Sequence, residues 1–150
     1  MTTKKEVDLF LALKKLAVVG VSRTKQKFGS MAYLDLKSKG YTVYAVNPKL
    51  SEFEGEKCYP SLKALPKGVE GAVLVVHPLD GDQVVKDAKA AGIKQIWFQQ
   101  GAESKSAVEF CKQNGMTAIT GECIMMFMPN TASFHRFHRF VRGVFGGNPR

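Results

Sequence analysis

The order of hydrophobic segments predicts an α/β fold. It is a doubly wound, mainly parallel five-stranded sheet with helices on both faces, followed by a C-terminal amphipathic helix. Three observations carry this. Short apolar runs alternate with helix-length amphipathic stretches, and three of those stretches stop at a glycine: Gly40, Gly92 and Gly115. The run at 71–77 is almost continuously apolar, as a strand covered on both faces must be. Parallel neighbours need crossover connections, and the intervening helices supply them in the usual right-handed sense.

Each element follows in order. A helix over 4–14 precedes the strand Leu16-Ala17-Val18-Val19-Gly20, and a second helix runs from Gly29 to a stop at Gly40. The next strand, 41–46, is rich in β-branched and aromatic residues and is halted by Pro48. Residues 49–67 carry Gly55, Pro60 and Pro66 and read as a loop with one helical turn at 61–65. Strand 71–77, helix 80–91, strand 95–99, helix 103–114 and strand 117–119 complete the alternation. Beyond them, Phe134, Phe137, Val141, Val144 and Phe145 recur at helical spacing, with His135, Arg136, Arg139 and Arg142 turned away. This basic amphipathic helix, about 130–145, is expected to pack on the domain or on a second copy, which suits a homodimer.

Composition bounds the reading. A chain of 150 residues is most economically one domain, 1–150, with its core at about 12–128. Its 45% hydrophobic content is that of a globular protein. No apolar run reaches bilayer length, and Met1-Thr2-Thr3-Lys4-Lys5-Glu6 lacks the apolar core of a signal peptide, so a cytoplasmic protein is expected. Cys58, Cys111 and Cys123 fit neither zinc-ligand spacing nor a disulfide framework and are expected to be reduced thiols. His135 and His138 lack a third ligand at metal spacing, so no metal is expected. The formal net charge of +9 attracts polyanions. Its cations are scattered and no nucleic-acid module is recognisable, so a small multiply phosphorylated ligand is preferred to nucleic acid.

The segment from Leu16 to Gly29 has the makings of a phosphate cradle. An apolar strand feeds a turn carrying Ser22, Arg23, Lys25 and Lys27, and Gly29 opens a helix whose amide groups point at an anion. A dinucleotide fingerprint would have a second glycine where Ser22 stands and an acidic residue after the second strand. That strand instead ends in Asn47-Pro48-Lys49, which disfavours NAD and leaves NADP and coenzyme A, both of which carry an extra ribose phosphate. In an open α/β sheet the ligand lies beyond the carboxyl ends of the strands, where the strand order switches. Four strand exits fall there: Ser22, Asn47-Pro48, Val76-His77-Pro78 and Gln99-Gln100-Gly101. Asn47 and the glutamines are hydrogen-bonding candidates, whereas the prolines suit turn chemistry. His77 has no carboxylate partner identifiable in the sequence, which argues against a general base. Cys123 is either a small buried hydrophobe or, if it is accessible, a thiol that exchanges with the cofactor's own.

Six motifs in order carry a family resemblance: Val19-Gly20-Val21-Ser22-Arg23, Lys27-Phe28-Gly29, Val46-Asn47-Pro48, Gly55-Glu56-Lys57-Cys58-Tyr59-Pro60-Ser61-Leu62, Trp97-Phe98-Gln99-Gln100-Gly101-Ala102 and Cys123-Ile124-Met125. Over about residues 12–128 the chain resembles the small stand-alone CoA-binding proteins, which are similar to the nucleotide-binding domain of succinyl-CoA synthetase α subunits. The resemblance implies a Rossmann-like domain that binds coenzyme A. It implies contacts at Gly20, Ser22, Arg23, Lys27, Asn47, Pro48, Gln99, Gln100 and Gly101, with Val76 and Pro78 bordering the adenosine or pyrophosphate and Cys123 near the thiol arm. Two positions depart from the family pattern. His77 replaces an apolar or small residue, and Gly121-Glu122 precede Cys123 where Asp-Arg is common, which removes a basic neighbour from the thiol. The chain lacks the further domains of the nucleoside-diphosphate-forming synthetases, so the expected role is a non-catalytic carrier, regulatory or accessory protein, acting with a separately encoded acyl-CoA ligase partner. The alternatives are an NADP-binding oxidoreductase or redox switch and a basic nucleic-acid-binding protein.

Overall fold

Thr3 caps the first helix by accepting from Glu6 N, while the Glu6 side chain accepts from Thr3 N, so the chain enters α1 (Lys4–Leu11) through a capping box. A computed structural model describes residues 2–23 and 27–127. The expected helix at 130–145, and the homodimer contact expected of it, lie outside the described residues, as does Lys25. After α1 come β1 (Lys15–Val19), α2 (Phe28–Ser38), β2 (Thr42–Val46), β3 (Glu52–Phe53), β4 (Glu56–Tyr59), β5 (Gly71–Leu74), α3 (Gly81–Ala90), β6 (Gln95–Phe98), α4 (Lys105–Gln113) and β7 (Thr117–Ile119). Short 3-10 turns occupy Leu62–Ala64, Pro78–Asp80 and Ile124–Phe127. No helix among the described residues is long and apolar enough to cross a membrane.

The strands form one sheet in the order β3-β4-β2-β1-β5-β6-β7. The five expected strands are β1, β2, β5, β6 and β7, and they pair in parallel. Among the described residues the sheet has seven strands rather than five. Residues 49–67 are not a plain loop, because β3 and β4 form an antiparallel hairpin and β4 then pairs in parallel with β2. Glu54 and Gly55 both hold positive φ, 52° and 79°, which is the backbone of a two-residue hairpin turn.

Alternation along the strands separates two cores. Leu16 and Val18 of β1, Val73 of β5 and Trp97 of β6 face α1 and α2, where they meet Phe10, Tyr33 and Leu36. Ala17 and Val19, Ala72 and Leu74, and Ile96 and Phe98 face the other way, onto Val85 and Ala88 of α3 and Ala107 and Cys111 of α4. Both faces of the central strands are buried, which is why their sequences are continuously apolar rather than alternating. From β1 the chain winds outward through β2 to the hairpin, then crosses to β5 on the other side of β1. The strand order therefore switches between β1 and β5.

Candidate functional site

The carboxyl ends of four parallel strands are tied edge to edge. Gly20 N donates to Val46 O at 3.0 Å, Val75 N to Val19 O at 2.8 Å and Gln99 N to Leu74 O at 3.0 Å. This brings the exits of β2, β1, β5 and β6 into one line, as the sequence predicted, and that line spans the switch in strand order. Gly20 sits at its centre with φ 114°, and a Cβ there would lie 2.0 Å from Val75 O. A Cβ on Gly29, at the start of α2, would lie 2.2 Å from Gly20 O. The two glycines let α2 begin directly against the end of β1, so the helix N-terminus opens onto the strand edge.

That N-terminus is chemically unlike those of α1 and α4, and unlike that of α3, which also has no side-chain capping bond but carries Asp80 at its N-cap and Asp82 in its first turn. Thr3 caps α1 and Ser104 caps α4, each accepting from a first-turn N–H. At α2 the N-cap residue is Lys27, which makes no side-chain capping bond, and the first turn contains no acidic residue. Lys27 is exposed at the cap position, and Arg23, also exposed, lies four residues before it in the chain. A helix start with a cation at its cap position, no capping bond from that side chain and no acidic residue in its first turn suits an anion, since the helix dipole and the charge act in the same direction.

Asn47 stands where β2 ends and is committed to the fold at both ends of its amide. Nδ2 donates to Val21 O at 2.6 Å, and Oδ1 accepts from Lys49 N at 2.7 Å. The first bond braces the β1 exit from the side; the second closes the Asn47-Pro48 turn, leaving Pro48 exposed on the rim. On the far side of β1, Val76 is half-buried and leads into the Pro78–Asp80 turn. His77 caps that turn, its Nδ1 accepting from Leu79 N at 3.1 Å. Nδ1 of the imidazole is thus a structural acceptor.

The glutamine pair holds the chain after β7. Gln99 is 3% exposed, and its Oε1 accepts from Ile124 N at 3.1 Å. Gln100 Nε2 donates to Gly121 O at 3.2 Å, and Trp97 Nε1 donates to Glu122 O at 3.0 Å. Gly101 follows at φ 89° on the exposed rim, its N–H held by Glu103 Oε1 at 2.8 Å. These bonds fasten residues 121–124 across the end of β6 and bury what lies beneath.

Residues 14–129 match the family model of the CoA binding domain. The chain belongs to the CoA-binding domain family. It is 30% identical over 136 residues to the ADP-forming acetate–CoA ligase I of Archaeoglobus fulgidus, a match that takes in 84% of this chain and 20% of that protein. It is also 30% identical over 129 residues to the α subunit of the ADP-forming acetate–CoA ligase II of Pyrococcus furiosus, covering 79% of this chain and 28% of that subunit. The chain thus spans well under a third of these curated relatives. Among solved structures, a conserved hypothetical protein from Pyrococcus furiosus is 45% identical with a TM-score of 0.73, over 77% of this chain and 99% of that one.

Burial separates the two readings of Cys123 in this CoA-binding domain. Cys123 is only 2% exposed, within the segment that Gln99, Gln100 and Trp97 fasten down, and burial pushes its thiol up to about 11. The Gln99 amide and the backbone of Met125 and Met126 favour the thiolate, but burial outweighs them. A protonated, covered thiol does not exchange with a cofactor, so the mixed-disulfide reading falls and Cys123 is a small core residue. Burial raises Cys58 as well and takes Cys111 to about 11; all three are free thiols.

Sequence reasoning missed Ser30. It is fully buried in the first turn of α2, where its hydroxyl accepts from Ser22 N at 2.9 Å and donates to Ser22 O at 2.8 Å. The available signal was a serine three residues past the Lys27 cap position in a helix that needs no serine there, which indicates tertiary use.

Proposed function

We propose that this chain binds coenzyme A, free or acylated, with the nucleotide lying over the loop between β1 and α2. The observation that carries the reading is the start of α2, where the N-cap residue Lys27 makes no side-chain capping bond and the first turn holds no acidic residue, set on the line of strand ends by the contact of Gly29 with Gly20. Membership of the CoA-binding domain family supports coenzyme A over other phosphorylated nucleotides. The α2 amides, Arg23 and Lys27 would receive phosphate groups. Asn47-Pro48 on one side and Val76-His77-Pro78 on the other would wall the nucleotide, with Gln100 and Gly101 at the far end of the line. When bound, the cofactor supplies a thiol that carries an acyl group as a thioester; the chain's part is to hold and orient it.

We further propose that the role is that of a carrier or accessory module rather than a complete catalyst. Of the reactive side chains weighed at the strand ends, Cys123 is covered, and His77 Nδ1 is engaged as a cap. The relatives are an acetate–CoA ligase and a ligase α subunit, of which this chain matches 20% and 28%. A separately encoded acyl-CoA ligase component is the partner this suggests.

Replacing Arg23 or Lys27 with alanine should lower affinity for coenzyme A about fivefold each, roughly 1 kcal/mol for an exposed charge-assisted contact. The loss should shrink as salt rises, because exposed charges are screened. Isothermal titration at two ionic strengths checks this, and unchanged affinity in the double variant would remove the loop from the binding site.

A further inference from the structure

The loop that would carry the ligand is held from behind by a side chain that reaches no solvent. The peptide joining Val21 to Ser22 is gripped at both ends: Asn47 Nδ2 donates to its carbonyl at 2.6 Å, and Ser30 Oγ accepts from its N–H at 2.9 Å. The following peptide, from Ser22 to Arg23, has its carbonyl held by the same Ser30 hydroxyl at 2.8 Å. Two consecutive peptide planes are therefore oriented. In a planar trans peptide the N–H points opposite to the carbonyl, so the Arg23 N–H is turned away from Ser30, and the backbone launches Arg23 in a set direction.

Ser30 is at 0% exposure, in the first turn of the same helix whose N-cap residue, Lys27, makes no side-chain capping bond. Its hydroxyl is spent on the neighbouring loop rather than on its own helix. Removing it would leave the Ser22 N–H and carbonyl without this partner in a part-buried place, and the loop would turn toward water to satisfy them. That would displace Arg23 without altering any group that meets a ligand.

We infer that Ser30 is a positioning residue for the ligand: its hydroxyl sets the path of residues 21–23, and through them the affinity for phosphate groups, while itself touching none of them. This rests on the reading that coenzyme A lies over the β1–α2 loop.

The test pairs coenzyme A titration with residue-resolved amide hydrogen exchange on the wild-type chain and on Ser30→Ala at a temperature where both are folded. The expected result is a slowly exchanging Ser22 amide in the free wild-type protein. In Ser30→Ala that protection is lost while Val18 and Ala45 inside β1 and β2 keep theirs, and affinity for coenzyme A falls about tenfold. A serine that only stabilised the fold would lower the melting temperature and leave the affinity of the folded protein unchanged; that outcome overturns the inference. An unprotected Ser22 amide in the wild type overturns it too, and that measurement stands whether or not the variant folds. A protected Ser22 amide in a wild-type protein that does not bind coenzyme A would mean that the functional reading has failed, and the positioning role with it, although the hydrogen bonds are as described.

Discussion

Gly29→Ala is expected to lose at least about 3 kcal/mol of stability, or to give no folded protein, although helix propensity alone argues the reverse. Alanine in a helix is favoured over glycine by about 1 kcal/mol. Against that gain, the added Cβ would lie 2.2 Å from Gly20 O and 2.7 Å from Gly20 C, backbone atoms at the end of a central strand that cannot swing aside. Gly20 is itself pinned, since a Cβ on it would be 2.0 Å from Val75 O, so a push on Gly20 is carried to β5. The steric term wins because relief requires α2 to move off the sheet, exposing Ala32, Tyr33 and Leu36, all at most 1% exposed. Gly81→Ala is the control. Gly81 opens α3 with φ −62°, and a Cβ there would meet Ala107 Cβ at an ordinary 3.5 Å. It should be neutral or slightly stabilising. Denaturant unfolding of both variants checks the pair, and a folded Gly29→Ala of wild-type stability would contradict the described contact of α2 with β1.

Trp97→Ala should cost about 3–5 kcal/mol, the range for emptying a buried tryptophan site. Trp97 is fully buried on the α1 side of the sheet and packs edge-to-face against Phe10 at 5.3 Å between ring centres. Its indole N–H is also the donor to Glu122 O. The variant should therefore loosen residues 121–124 and uncover Cys123, which in the wild type ought to resist thiol reagents until the protein unfolds. Trp97→Phe separates the two effects, as it keeps most of the packing and loses the hydrogen bond. Denaturant midpoints together with thiol-labelling rates measure both, and unchanged labelling in a destabilised Trp97→Ala would mean that the indole does not hold the segment.

The parallel sheet and the line of strand exits were legible because each rests on local signals. Apolar runs, glycine stops and the Asn47-Pro48 turn are read from neighbours in sequence. The hairpin of β3 and β4 was not legible. It consists of two and four residues, and its turn places Glu54, a residue with no special liking for positive φ, beside Gly55. Polar side chains at the strand ends were located correctly, but their partners were not, because those partners are remote in sequence. Asn47 reaches Val21, Gln99 reaches Ile124 and Gln100 reaches Gly121, separations of 26, 25 and 21 residues. Ser30 escaped notice for the same reason. The concealment of Cys123 depends on the fold of residues 121–124 over β6, which no local pattern announces.

The ligand of the loop between β1 and α2 is the most direct test of the proposed function. Isothermal titration of the purified chain with coenzyme A, with NADPH and a short DNA duplex as comparators at about 0.1 M salt, decides it. A single saturable site for coenzyme A at micromolar affinity, roughly −8 kcal/mol, is predicted, with NADPH bound at least about tenfold more weakly. Titration that shows no coenzyme A binding, with NADPH or the duplex bound in its place, would contradict the proposed ligand.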